Sequence, residues 1–319
     1  MNMVPIAPTS PVPLVVVPYQ AQRVRIVVVG AGGTGSWVVQ HLARLVWDFN
    51  RSWAQVHDEE PRRAQLVIVD HDVVEEGNVR ARQNFCLAEV GYPKAKVLAL
   101  RYAQAFGLAE EDISAVCQPM ASAGIAPRWG DLTILVGCVD NDAARRDIAR
   151  MLDYPGLPYE FSRVPEAERP RPTWWIDSGN ALHSGQALCG NVGSIEGLQG
   201  ALAGPFCSRL PSPGLLHPEL ILSPPADANA PADQRSCKEL VLAGEAARAQ
   251  SRTINNHMAA LVYGYVERLL YGGLTTFATY TDESSFTTRS LETTPEALAL
   301  ALGRPAAFFT HLPAHGSPS

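Results

Sequence analysis

A chain of 319 residues, 46% apolar and 18% charged, is long enough to bury a large core in one extended or two smaller domains. Its formal net charge of −6 argues against a broad electrostatic grip on nucleic acid or an anionic membrane, so an anionic ligand must be held by a few placed groups. Its six cysteines are scattered with no CxxC pair, which fits reduced thiols in a cytoplasmic protein and gives no spacing for structural zinc.

The first 19 residues are Pro-rich and carry no basic n-region before an apolar run, so they read as an arm rather than a signal peptide or membrane anchor. Arg23 to Val29 is a β-branched run suited to a strand buried on both faces of a parallel sheet, and it runs straight into glycines. After Gly35, apolar residues at Val38, Val39, Leu42, Leu45 and Val46 recur at helical spacing, giving a strand, a Gly-rich turn and a helix. A second strand ends at Asp70. Apolar runs at 113–117, 132–139 and 174–176 then alternate with helical stretches at 94–106 and 142–152. This alternation predicts an α/β fold, Rossmann-like and doubly wound, with a mostly parallel sheet and helices on both faces. The Pro- and Ser-rich segment 205–235 reads as a long crossing loop, and Ile254 to Leu270 as an amphipathic helix stopped by Gly272 and Gly273. The expected organisation is an arm over 1–19, a folded body over 20–290 with its nucleotide-binding part at about 23–150, and a tail over 291–319.

Gly30-Ala31-Gly32-Gly33-Thr34-Gly35 fits G-x-G-x-x-G between strand and helix, where glycines allow a tight turn and backbone N–H groups can approach phosphate. That points to a nucleotide site without naming a reaction. An NAD(P)-dependent oxidoreductase would also place an acid such as Asp70 after the second strand.

The residues that follow narrow the choice. Asp70-His71-Asp72-Val73-Val74, Asn78, Arg82-Gln83-Asn84, Gly91 with Lys94-Ala95, and Cys138-Val139-Asp140-Asn141 stand in order along the chain. In this series the sequence resembles the ThiF/MoeB/ubiquitin-activating adenylyltransferases over roughly 23–150, and Arg82 to Gly91 is similar to the ThiF-like proteins of PRTRC gene cassettes. The resemblance implies ATP-dependent adenylation of the C-terminal carboxylate of a small ubiquitin-like, β-grasp protein ending in glycine, with Mg²⁺ as cofactor, in a homodimer. It implies phosphate contacts from Arg82 and Lys94, ribose contacts from Asp70 and Asp72, and Asp140 on the metal-bound nucleotide. Asn78, Gln83 and Asn141 would be polar positioning groups. Such chemistry needs cations, because two anions must meet and pyrophosphate must leave. Three residues rather than two separate Asn78 from Arg82, so Arg80 is a second candidate for the phosphate contact, and the family's N-terminal arginine segment has no counterpart in residues 1–22. These departures also leave open a nucleotide-binding scaffold without activation activity.

A second step on a cysteine would pass the acyl group to an E2-like or sulfur-acceptor protein. Ser236 and Glu239 form a capping box that would place Cys237 in the first turn of a helix between Arg235 and Lys238, where the dipole and the cations favour thiolate. Cys207 and Cys189 are alternative nucleophiles. His257 reads as a packing residue.

Overall fold

Apolar runs of seven residues form β1 (Arg23–Val29), β2 (Arg63–Val69) and β4 (Asp131–Gly137), and Asp131 to Gly137 is buried throughout. Strands this apolar on both faces need a helix layer on each side, and the chain supplies both. In this computed structural model of the protein, residues 12–56, 62–80, 83–128, 130–153, 171–222 and 253–312 are described. Helices α1 (Gly33–Val56), α2 (Glu76–Arg80) and α3 (Lys94–Phe106) precede β3 (Ile113–Val116), and α4 (Asp142–Arg150) lies between β4 and β5 (Thr173–Asn180). Then come β6 (Ser184–Gly190), α5 (Pro213–Leu216), α6 (Ile254–Tyr271), β7 (Thr276–Asp282), β8 (Thr287–Glu292), α7 (Pro295–Leu302) and α8 (Ala306–Thr310).

All eight strands lie in one sheet, in the order β3-β2-β1-β4-β5-β6-β7-β8. The first five are parallel and the last three join antiparallel. The chain winds outward from β1 to β3, then returns to β1's other side with β4. The crevice above the C-terminal ends of β1 and β4 is therefore a topological switch point, the place where open α/β sheets bind ligands. Register makes that edge level: Val29 stands opposite both Val69 and Gly137, so Gly30, Asp70 and Cys138 leave the sheet side by side.

Each face buries its own cluster. Ile26, Val28, Leu66 and Ile134 pack under Val38, Leu42 and Phe49 of α1, Leu98 of α3, and Val262 and Val266 of α6. On the opposite face Val27, Val29, Leu135 and Trp175 pack with Ile148 of α4. The expected strands and helices, including the amphipathic helix stopped by Gly272, stand where the periodicity places them.

The ends of the chain do not. The stretch read as a loose arm is pinned at its end: Val16 is fully buried, and its segment exchanges backbone hydrogen bonds with Cys207 and Leu274. The stretch read as a tail folds as α7 and α8, and Leu298 and Phe309 enter the main core. The signals were local and legible. Thr294 caps α7 by accepting from the Ala297 N–H, Pro295 occupies its first turn, and Gly303 ends it in the left-handed region at φ 63°.

Candidate nucleotide site

Gly30 leaves β1 at φ +90°, and a Cβ there would stand 2.6 Å from the Cys138 carbonyl oxygen. A Cβ on Gly35 would stand 1.9 Å from the Gly30 carbonyl oxygen. These two glycines are required by the turn itself. Gly32 differs, because nothing lies within 4 Å of its Cβ position, so the backbone there is open to an approaching ligand. The first turn of α1 holds no acidic residue, which leaves its N-terminal end suited to an anion.

Asp70 builds the turn from the next strand. One carboxylate oxygen accepts the Ala31 N–H at 2.6 Å and the other the Asp72 N–H at 2.7 Å. Burial pushes its pKa above the ordinary value, against those two N–H groups and Lys94. Asp70 thus shapes the backbone, and the half-exposed Asp72 is the carboxylate that faces outward. Lys94, at the start of α3 and only 6% exposed, brings its ammonium to 3.0 Å from Asp72 Oδ2, and its own N–H donates to the Asp72 carbonyl. A buried lysine is costly without a counter-charge, so this pair anchors a cation beside the glycine turn. Asp70, His71 and Asp72 offer ligand atoms within 4.8 Å of one another, the only such group among the described residues; Asp140 does not join it.

The stretch from α2 to the start of α3 carries the polar residues. Asn78 Oδ1 accepts the Glu75 N–H, a local turn contact. Gln83 Oε1 is buried without a hydrogen-bond partner, an acceptor that a bound ligand could satisfy. Arg82 lies outside the described residues. Asn84, read only as part of the motif, ties the segment down: its N–H donates to Ser36 Oγ, and its amide to the Ser36 carbonyl and Tyr102 OH. Arg101 clasps both oxygens of Glu89 at 2.5 Å and donates to the Asn84 carbonyl at 2.8 Å.

On the β4 side Asp140 is exposed beyond the strand, and Asn141 accepts the Ala144 N–H as the N-cap of α4. A buried ion pair here escaped sequence reading. Arg145 Nε lies 3.2 Å from both oxygens of Asp177, whose side chain is fully buried. Burial raises the Asp177 pKa, and Arg145 opposes the shift. An acid inside the apolar run Trp174-Trp175-Ile176-Asp177 was the available signal. Asn255 was missed too. It sits in the first turn of α6 and lies against Gly33 and Thr34.

The cysteines divide by burial. Cys189 and Cys207 are fully buried, and burial pushes the Cys207 thiol up to about 12 and the Cys189 thiol higher than usual. As placed, neither serves as the nucleophile it was offered as. Cys86 and Cys117 are exposed, and Cys237 lies outside the described residues. An open cavity of about 390 Å³ lies beyond the nucleotide turn, lined by His183, His257, Asp282, Glu283 and Phe286 among others, and no residue of the turn borders it. His257 there is half-exposed and 3.6 Å from Glu283 rather than packed in the core. Among the described residues no helix is long and apolar enough to cross a membrane.

The model of the ThiF family matches residues 18–189. No curated protein sequence matches the chain. Among solved structures the chain is similar to PaaA, at 15% identity and TM-score 0.47 over 85% of this chain and 64% of PaaA. It is also similar to E. coli MccB with ATP, at 16% identity and TM-score 0.45 over 84% of this chain and 63% of MccB. E. coli MccB alone aligns at 16% identity and TM-score 0.48, over 92% and 68% respectively. The chain spans less than two thirds of PaaA and of the MccB chain with ATP.

Proposed function

Because the chain belongs to the ThiF family, we propose that it is an ATP-dependent adenylyltransferase that activates the C-terminal carboxylate of a small ubiquitin-like protein, as a cytoplasmic homodimer. The observation that carries this reading is the buried Lys94 ammonium, held by Asp72 at the mouth of the glycine turn. Hydride transfer has no need of such a cation, whereas joining a carboxylate to a phosphate does.

The proposed step forms a bond between a carboxylate oxygen and the α-phosphorus and breaks the bond to the bridging oxygen, which leaves with its electron pair as pyrophosphate. The backbone at Gly32 and the α1 N-terminus receive phosphate oxygens. Lys94, with Arg82, offsets the charge that grows as the anions meet. Gln83 offers its unpartnered Oε1 to a donor on the nucleotide, and Asp72 faces the ribose. Asp140, exposed beyond β4, would be the carboxylate that holds Mg²⁺. Bound there, it would supply positive charge to offset that of the pyrophosphate. For a second, thioester-forming step Cys237 is the candidate, supported by its capping-box setting and by the burial of Cys189 and Cys207.

Isotope exchange between pyrophosphate and ATP, run with a β-grasp protein ending in Gly-Gly, tests the proposal. Exchange should require the added protein and fall by roughly two to three orders of magnitude in Lys94→Ala and Asp140→Ala. ATP binding without exchange for any such partner would indicate a scaffold, and tight binding of nicotinamide nucleotide in place of ATP an oxidoreductase.

A further inference from the structure

We infer that Asn255 is a positioning residue of the nucleotide turn, holding Gly33 and Thr34 in place. The inference rests on the nucleotide reading above.

Gly33 lacks the conformational need of its neighbour. Its φ is not in the left-handed region, unlike that of Gly30. What demands glycine is Asn255: a Cβ at Gly33 would stand 2.8 Å from Asn255 Oδ1 and 2.9 Å from Nδ2. The contact is organised. Asn255 is 6% exposed, and its Oδ1 accepts from Asn180 Nδ2 at 2.7 Å and from Thr34 Oγ1 at 3.2 Å. Asn180 is the last residue of β5, Thr34 is in the first turn of α1, and Asn255 is in the first turn of α6. One amide thus joins three elements at the residues that follow the open backbone of Gly32.

A buried amide with two donors on one oxygen is difficult to rearrange, because any shift leaves a polar group unpaired in the interior. Asn255 therefore fixes where the N–H groups of the turn point.

Equilibrium binding of ATP and of adenosine, which needs no partner protein, tests this. Gly33→Ala should weaken ATP binding about tenfold or more by driving the new methyl into Asn255, Asn255→Ala alone should weaken it several-fold, and the double variant should lose clearly less than the sum of the two. Additive losses in the double variant would overturn the inference. Asn255→Asp provides a second arm should Gly33→Ala fail to fold. It keeps the acceptor oxygen but sets a negative charge behind the cradle, so ATP binding should fall much more than adenosine binding. Equal effects on the two ligands would assign Asn255 a packing role only. Absence of ATP binding by the unaltered chain would overturn the nucleotide reading itself, and this inference with it.

Discussion

Glu89 and Arg101 fasten the segment that brings Gln83 and Asn84 to the glycine turn. Burial pushes the Glu89 carboxyl up, but hydrogen bonds from Arg101 and the Cys86 N–H outweigh it and hold the pKa below the ordinary range. A depressed folded-state pKa contributes stability above the unfolded value, lost as pH falls through the folded one. Glu89→Gln should therefore lower stability at pH 7 by about 1–2 kcal/mol, and the difference from the unaltered chain should shrink as pH falls below the ordinary carboxylate range, as urea unfolding across that range would read. A constant difference would mean that shape rather than charge holds the segment. At this scale the motif residues were legible because their order and spacing are local. Arg145 with Asp177, and Asn255 with Thr34, were not, because spacing of 32 and 221 residues carries no periodic signal.

The parallel strands and their helices follow from apolar runs of strand length alternating with helical spacing, and β1, β2, β4, α3 and α6 stand as the sequence analysis places them. Helix α7 stands where the sequence analysis expects a tail, although its N-cap and terminating glycine are local signals. With α8 it closes the core: Phe309 is fully buried, and backbone bonds run from Leu202 to Phe309 and from Gly200 to Phe308. Phe309→Ala should cost about 3–5 kcal/mol, the range for a large buried aromatic, and lower the thermal midpoint accordingly. A change under 1 kcal/mol would return α8 to the status of an appendage.

The family match ends at residue 189, inside β6, but the fold does not divide there. β6 pairs with β5 on one side and β7 on the other, α6 packs on α1, and one apolar cluster runs from Val16 to Phe309. A fragment ending at Gly190 would expose the α6-facing side of α1 and an unpaired β6 edge. It should be unfolded or aggregated by circular dichroism and size exclusion, whereas the whole chain melts cooperatively. A cooperative melt of the fragment would show a self-sufficient nucleotide domain. The amino-acid sequence by itself determined the doubly wound architecture, the glycine turn and the order of the motif residues, since all of these reside in local periodicity and spacing. Only the tertiary structure decided that Asp70 serves the backbone of the turn, that Cys189 and Cys207 are buried, that Val16 and helices α7 and α8 pack onto the body, and that Asn255 stands against Gly33. Burial and contact between distant segments depend on how the sheet is wound, and no local pattern encodes them.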